Sequence, residues 1–281
     1  MKNFFTEYEI DSYKPTKLFG VSDESQKIFK FCNLVWSNDW VVKRGIYNFN
    51  PTILLHGSPG TGKTTLLKNI AKRLEGEGFK YFYISLELLL DKDLGMSSKN
   101  LNEFFKHLGN LASTEIKIFV HFDDVDSVLC SRYIPNESSG VKRLVNTFIK
   151  EIDKIESMNY KYPPIITATT NMYSMIDTAV KRRFSLKFSI ENNITISEFE
   201  MWLKPIISDL GMVDDFDYFS LYEKMNQKKL TNYDVYLIMQ SVFLDKIAGN
   251  EISFETIALR FELTESSNIG FENSKASLSR L

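Results

Sequence analysis

Short apolar runs alternate with helical patterns over residues 53–188 of the chain. Each run has the length of a buried strand, and the five cover residues 53–55, 81–84, 116–122, 165–168 and 186–188. The helical patterns between them cover residues 63–74, 99–108, 140–155 and 175–183. In the third, apolar residues recur at spacings of three and four and form one stripe. Strands that alternate with helices predict an α/β fold with a parallel sheet covered on both faces.

The strand pattern stops after residue 192, and the remaining sequence predicts a small all-α lid. Four helical segments are expected there, at 196–209, 215–226, 231–248 and 253–262, and Thr231, Asn232 or Ser253 would cap the last two. A helix is expected around 25–42, where core packing is favoured over a partner surface for Trp36 and Trp40. The predicted organisation is a segment 1–50 that packs on the core, an α/β subdomain 51–191, a lid 192–264 and a mobile tail 265–281.

Composition narrows the class of protein. The 281 residues carry 34 Lys and Arg against 36 Asp and Glu, a formal net charge of −2. This overall charge gives no reason to expect nucleic-acid binding, although a local basic patch is compatible with the same net charge. No apolar run is long enough to span a membrane, and the first residues lack a signal-peptide pattern. Cys32 and Cys130 make neither a disulfide framework nor a metal site, so a cytoplasmic location is expected.

The strongest chemical signal is a glycine-rich loop between a predicted strand and a predicted helix. It matches the pattern GxxxxGK[ST], and its residues are Gly57, Ser58, Pro59, Gly60, Thr61, Gly62, Lys63 and Thr64, with Thr65 following. Backbone N–H groups of such a loop converge on phosphate oxygens at a helix N-terminus. Lys63 is expected to reach the β- and γ-phosphates of ATP, and the Thr64 hydroxyl to ligate Mg²⁺.

An acidic pair ends the apolar run that starts at residue 116. Asp123 is expected near the same Mg²⁺, while Asp124 would orient and deprotonate the attacking water. His121 lies among apolar neighbours in this run, where a core histidine is favoured over a catalytic one.

With these two motifs in place, the chain resembles an AAA-clade (AAA+) ATPase module, closest in motif wording to the katanin and spastin group. The run 123–132, DDVDSVLCSR, is similar to that group's DEVDSLLxxR. The resemblance identifies Asn171 as the sensor that hydrogen-bonds the γ-phosphate and the lytic water. The element 176–184 resembles IDxAxxRRF, in which Arg182 and Arg183 act on the neighbouring subunit's γ-phosphate.

The resemblance implies a P-loop NTPase fold with a five-stranded parallel sheet and a helical lid. It also implies a homo-oligomeric ring, expected to be a hexamer, because arginines that act in trans need a neighbour. Phe19-Gly20-Val21 falls where the family holds adenine.

Three positions depart from the family pattern. Asp124 replaces the usual glutamate, and its shorter side chain draws the carboxylate back by about 1.5 Å. Because a misplacement of about 1 Å can lower the catalytic rate by about 10²-fold, slow turnover is one alternative. Asp93, in Lys92-Asp93-Leu94-Gly95, replaces the aromatic residue of the first pore loop and puts polypeptide threading in doubt. Tyr233, in the run 230–234, is not expected from the family's SGxD element.

Three functions remain open at this level. The leading hypothesis is an ATP-hydrolysing ring that remodels or disassembles a protein partner, with or without an adaptor. The second is a DNA-associated loader or switch on a related fold, against which stand the acidic net charge and the lack of a long Lys/Arg cluster. The third is a nucleotide-gated assembly scaffold with little hydrolysis, suggested by Asp124 and Asp93.

Overall fold

The computed structural model describes residues 7–86, 96–130, 139–191, 193–212 and 216–267. The chain forms two compact units. The first comprises Met1–Thr16, Asp23–Gly57 and Lys63–Ser189, and the second comprises Lys17–Ser22, Ser58–Gly62 and Ile190–Leu281. The middle of the glycine-rich loop therefore groups with the C-terminal unit. The finer division at residues 50, 191 and 264 stays a prediction.

The first unit is built on a sheet of five parallel strands, β1 (Thr52–His56), β2 (Phe79–Ser85), β3 (Lys117–Asp123), β4 (Ile165–Thr170) and β5 (Leu186–Ser189). Their order across the sheet is β2-β3-β4-β1-β5, which confirms the predicted α/β class and the five-stranded parallel sheet. Asp123 ends β3 and Asp124 follows it, while Asn171 follows β4, so the acidic pair and Asn171 lie at the carboxyl edge of neighbouring strands, where ligands bind in open α/β sheets.

The helices of the first unit follow the predicted alternation with the strands. They are α1 (Ser22–Val35), α2 (Trp40–Tyr47), α3 (Lys63–Arg73), α4 (Met96–Ser113), α5 (Ser139–Ser157) and α6 (Thr178–Arg183). One core joins apolar side chains of α4 and α5 to the central strands; Phe105, Phe122 and Phe148 are all buried in it. Burial of each such ring contributes about 1.5–3 kcal/mol to the free energy of unfolding. This packing holds β3 in the interior of the first unit.

The single helix expected around residues 25–42 is wrong. Two helices occupy this region, α1 and α2, and the chain between them turns at residues 36–39, where the Trp40 amide donates to the Ser37 carbonyl at 3.2 Å. Trp36 and Trp40 flank the turn and are 6% and 2% exposed, so both pack in the interior as predicted. The Ser37 hydroxyl closes the turn locally: it donates to the Leu34 carbonyl oxygen at 2.8 Å and accepts from the Asp39 amide N–H at 3.3 Å.

The second unit is helical, as expected, with α7 (Ile196–Asp209), α8 (Tyr218–Gln227), α9 (Asn232–Ile247) and α10 (Phe254–Leu263). Of the three predicted caps, Thr231 and Ser253 accept from the backbone of α9 and α10, whereas Asn232 lies inside the first turn of α9. Thr231 and Asp234 form a reciprocal capping box, which satisfies two of the otherwise unpaired N–H groups.

Among the described residues, no helix has both the length and the apolar character needed to cross a bilayer. Cys32 and Cys130 are both buried, and no disulfide joins them.

Candidate functional site

The glycine-rich loop connects β1 to α3, and its lysine opens the helix. Lys63 is only 5% exposed, and its Nζ donates to the Gly57 carbonyl oxygen at 2.9 Å. Burial lowers the pKa of the Lys63 ammonium to about 8, although the carboxylates of Asp124, Asp126 and Asp123 oppose this effect. A buried cation at a helix N-terminus is a strong anion-binding feature. Burial destabilises the protonated form of Lys63, and a bound phosphate would stabilise that form again.

The middle of the loop packs within the second unit. Gly60 has a φ of +76°, and a Cβ built on it would lie 3.0 Å from Tyr233 Cβ and 3.2 Å from Thr231 Oγ1. Only glycine fits this backbone conformation and this approach without strain. The Thr61 hydroxyl donates to the Ser58 carbonyl oxygen at 2.9 Å and stiffens the loop from within.

The end of β3 meets the start of α3 through a hydroxyl and a carboxylate. Thr64 Oγ1 donates to Asp123 Oδ1 at 2.8 Å, and Thr169 Oγ1 donates to the same oxygen. Burial alone would raise the pKa of the Asp123 carboxyl, but the side chains of His121, Thr169 and Tyr83 outweigh it and hold the pKa well below its usual range. An ionised carboxylate beside a hydroxyl is an oxygen pair that suits Mg²⁺, so Thr64 and Asp123 fit the expected metal.

Asp124 follows directly and adopts the left-handed conformation, with a φ of 47°. Its amide N–H donates to Thr169 Oγ1 at 3.1 Å, and its Oδ1 accepts from Asn171 Nδ2 at 3.0 Å. The backbone N–H of Asn171 in turn donates to Asp126 Oδ1 at 3.1 Å. The structure therefore brings the two residues proposed to handle water, Asp124 and Asn171, into direct contact at the tips of adjacent strands.

The two arginines at the end of α6 differ in their surroundings. Arg183 makes a bidentate ion pair with Asp153 of α5, with Nε–Oδ1 at 2.9 Å and Nη2–Oδ2 at 3.0 Å. Its Nη1 also donates to the Ala179 carbonyl oxygen at 3.1 Å. Arg182 is exposed. Both were expected to act alike on a neighbour's nucleotide, but Arg182 is the more exposed of the two, whereas the partly exposed Arg183 is held by Asp153.

Other predicted residues have varied positions. Phe19 is 7% exposed, and its ring stacks on that of Trp202 in the core of the second unit, with the ring centroids 5.6 Å apart. The Phe19 side chain is therefore part of this core. His121 is fully buried, which confirms the prediction of a core histidine, and burial lowers its pKa. Lys92-Asp93-Leu94-Gly95 and Ser131-Arg132 lie outside the described residues, as do residues 268–281 of the tail. Thr65 is half-buried in the first turn of α3.

Reasoning from motifs missed three side chains that hold the site. Thr169 bridges Asp123 and the Asp124 backbone, Asp126 accepts from the Asn171 backbone, and Asp153 binds Arg183. A signal existed for Thr169, since it lies two positions before Asn171 and a strand places both on one face. Nothing local connects Asp153 to an arginine 30 positions away.

The chain is similar in sequence and in fold to known ATPases. Residues 53–192 match the sequence model of the ATPase family associated with various cellular activities (AAA). The chain is 31% identical over 180 residues to the pachytene checkpoint protein 2 homolog of Xenopus tropicalis, which covers 60% of this chain and 41% of that protein. It is 32% identical over 182 residues to the vesicle-fusing ATPase of Dictyostelium discoideum, covering 61% and 23% of the two chains.

The chain thus spans less than half the length of these relatives. Among solved structures, a chain in the E. coli MS115-1 HORMA:CdnC:Trip13 complex superposes with a TM-score of 0.76 at 18% identity, over 89% of this chain and 90% of that one. This likeness supports the fold. Together with the glycine-rich loop, the acidic pair at the end of β3 and the asparagine after β4, these matches show that the chain carries an ATPase domain of the AAA family.

Proposed function

We propose that this chain binds ATP with Mg²⁺, hydrolyses it to ADP and phosphate, and uses the cycle, in a ring of identical copies, to remodel a protein partner. The observation that carries the proposal is the convergence of Thr64, Asp123, Asp124 and Asn171 at one edge of the sheet, linked by hydrogen bonds of 2.8 Å and 3.0 Å. A helix N-terminus with a buried lysine adjoins that edge.

Each side chain has a separate task in this proposal. Lys63 neutralises phosphate charge, and Thr64 and Asp123 hold the metal. The bound Mg²⁺ would polarise the phosphate oxygens. The Asp124 carboxylate accepts a proton from water, and Asn171 orients both that carboxylate and the water. Preorganised donors and acceptors of this kind lower the barrier because they need no reorganisation during the reaction.

Arg182 is the residue that we assign to the neighbouring subunit's nucleotide. It is exposed on α6, whereas Arg183 is engaged by Asp153 of its own chain. A guanidinium supplied in trans raises turnover by about 10³–10⁵-fold in other nucleotide hydrolases. Hydrolysis would then depend on assembly, and this dependence is the reason for proposing a ring.

The protein-remodelling role draws on the relatives. They include a checkpoint protein homolog and a vesicle-fusing ATPase, and the superposed chain belongs to a complex that contains a HORMA protein. We extend only the general role to this chain, action on a protein partner or adaptor. The closer kinship to the katanin and spastin group, read from residues 123–132, stays a prediction.

A single experiment tests the proposal. ATP binding is measured by calorimetry, and phosphate release is measured against protein concentration, for the wild-type chain, Lys63→Ala and the control Lys72→Ala. Lys72 lies on the same helix but pairs with Glu75 at 2.5 Å. We expect Lys63→Ala to lose ATP binding, Lys72→Ala to keep it, and the wild-type specific rate to rise with concentration.

Retained affinity in Lys63→Ala would overturn the nucleotide site. A rate per subunit that stays flat with concentration would remove the argument for trans action. Nucleotide-dependent assembly with no measurable phosphate release would favour the scaffold over the motor.

A further inference from the structure

A cluster of aromatic and imidazole side chains lies behind Asp123 on β2 and β3. In the parallel register, Tyr83 pairs with His121 and Ser85 with Asp123. The Tyr83 ring meets the His121 ring edge-on, with centroids 5.2 Å apart. The Tyr81 hydroxyl and His121 Nδ1 are 3.1 Å apart in a hydrogen bond. Tyr81, Tyr83 and His121 are assigned no step of the reaction proposed above, yet the cluster ends on the metal-binding carboxylate of Asp123.

The two oxygens of Asp123 are held from different directions. Oδ1 accepts from Thr64 at 2.8 Å and from Thr169. Oδ2 accepts from the Tyr83 hydroxyl at 2.5 Å. His121 Nε2 lies 3.5 Å from Oδ1 and adds a contact from the strand itself. Because both oxygens have donors, the carboxylate cannot rotate about its Cβ–Cγ bond without breaking at least one short hydrogen bond.

Tyr83 itself is fixed by its neighbours. The Lys68 ammonium of α3 lies 4.5 Å from the centre of its ring, a cation–π contact, and the Tyr8 ring lies 6.2 Å away. The Tyr83 side chain therefore has few accessible rotamers before it binds Asp123. Formation of the hydrogen bond from its hydroxyl to Asp123 costs little additional side-chain entropy. Lys68 lies on α3, the helix that also carries Lys63 and Thr64, so the Tyr83 ring contacts the helix of the nucleotide site.

We propose that Tyr83 is a positioning residue for magnesium, whose hydroxyl orients Asp123 so that Oδ1 faces the Thr64 hydroxyl. The inference rests on the proposed nucleotide site and adds a residue from β2 to it. Tyr83 acts through Asp123, so its contribution belongs to the metal and not to the phosphates, which the glycine-rich loop holds.

The test compares ATP binding with excess Mg²⁺ and with excess EDTA, by calorimetry on the full chain. Tyr83→Phe removes the hydroxyl and keeps the ring against Lys68 and His121. Since loss of a residue that orients a metal ligand lowers metal affinity by about 10- to 100-fold, we expect the gain in ATP affinity from Mg²⁺ to shrink by about tenfold. Affinity in EDTA should match that of the wild type.

The matched control is Tyr13→Phe. Its hydroxyl also makes a side-chain hydrogen bond, to Asn69 Oδ1 at 3.1 Å, but does not contact Asp123. The control should keep the full wild-type gain from Mg²⁺. Tyr83→Leu also lacks the hydroxyl, carries the same expectation, and replaces Tyr83→Phe should the latter unfold.

Each outcome decides between the two proposals. A wild-type gain from Mg²⁺ in the Tyr83 variant overturns the positioning role and leaves the nucleotide site intact. An equal loss in EDTA and in Mg²⁺ also overturns it, since the hydroxyl would then support the fold or the loop. A wild-type chain that binds no ATP overturns the proposed function, and the inference fails with it.

Discussion

The Asn171 side-chain amide donates a hydrogen bond to Asp124 Oδ1 at 3.0 Å. The donor follows β4 and the acceptor follows β3, and these strands are neighbours in the parallel sheet. A residue expected to sense the nucleotide thus holds the carboxylate expected to activate water. The position of Asp124 depends on this contact as well as on its own left-handed backbone, which aspartate tolerates better than most residues.

Lengthening this carboxylate tests whether it limits the reaction. We expect Asp124→Glu to raise turnover by about tenfold, because the added methylene moves the base towards the water by about 1.5 Å. Asp124→Asn should keep ATP binding and lose phosphate release, which sets the zero of the assay. If Asp124→Glu lowers the steady-state rate instead, the contact with Asn171 requires the shorter side chain.

Separating the two arginines tests their assignment. We expect Arg182→Ala to keep ATP binding and to lower phosphate release by about 10³-fold, because a trans guanidinium is lost. Arg183→Ala breaks a partly exposed bidentate pair with Asp153 and should lower the free energy of unfolding by only about 0.5–1 kcal/mol.

The control for this pair is Asp153→Ala. Its effect on unfolding in denaturant should match that of Arg183→Ala, and the double variant should add little to either one. A loss of hydrolysis in Arg183→Ala as deep as in Arg182→Ala, with Asp153→Ala active, would show that Arg183 leaves its ion pair to act in trans.

The pH dependence of ATP binding reports on Lys63, whose pKa burial lowers to about 8. Above that pH the amine of the nucleotide-free chain loses its proton, whereas bound phosphates favour the charged form. ATP binding must then take up a proton, so Kd should rise with pH above about 8, by up to about tenfold per pH unit.

Calorimetry from about pH 7 to about pH 9 measures this rise, and buffers of different ionisation enthalpy measure the proton uptake. Lys63→Arg is the control, because a guanidinium keeps its charge throughout this range. A Kd for the wild-type chain that does not change with pH would contradict the buried, low-pKa lysine.

The loop glycine Gly60 offers a test against a matched position. Gly60 and Gly78 both have positive φ, +76° and +62°, but of the two only Gly60 has other atoms where a Cβ would lie, those of Tyr233 and Thr231. We expect Gly78→Ala to cost about 1 kcal/mol of unfolding free energy from backbone strain alone. Gly60→Ala should cost more and should also weaken ATP binding. Equal losses for the two variants, with unchanged ATP affinity, would mean that the loop relaxes around the methyl group.

Local periodicity accounts for the secondary structure that was correctly predicted. All five strands and the four helices of residues 196–263 appear where apolar spacing placed them, because burial of one face or stripe is a property of the segment itself. The break at residues 36–39 also has a local cause, which the apolar periodicity alone does not show: Ser37, Asn38 and Asp39 are turn-forming residues, and the Ser37 hydroxyl accepts from the Asp39 amide N–H at 3.3 Å. The apolar spacing around Trp36 and Trp40 fits one helix, because residues four positions apart share a helix face, and so it does not reveal the turn between them.

The sequence by itself determined the chemical inventory, since a glycine-rich loop with Lys63 and Thr64, an acidic pair and a strand-end asparagine each have a local pattern. Tertiary structure decided how these groups are held. Thr169, Tyr83 and Asp153 reach Asp123 and Arg183 from 30 to 46 positions away, through strand register and helix packing. Hydrogen bonds depend on distances of a few ångströms between segments, and such distances exist only once the sheet has formed.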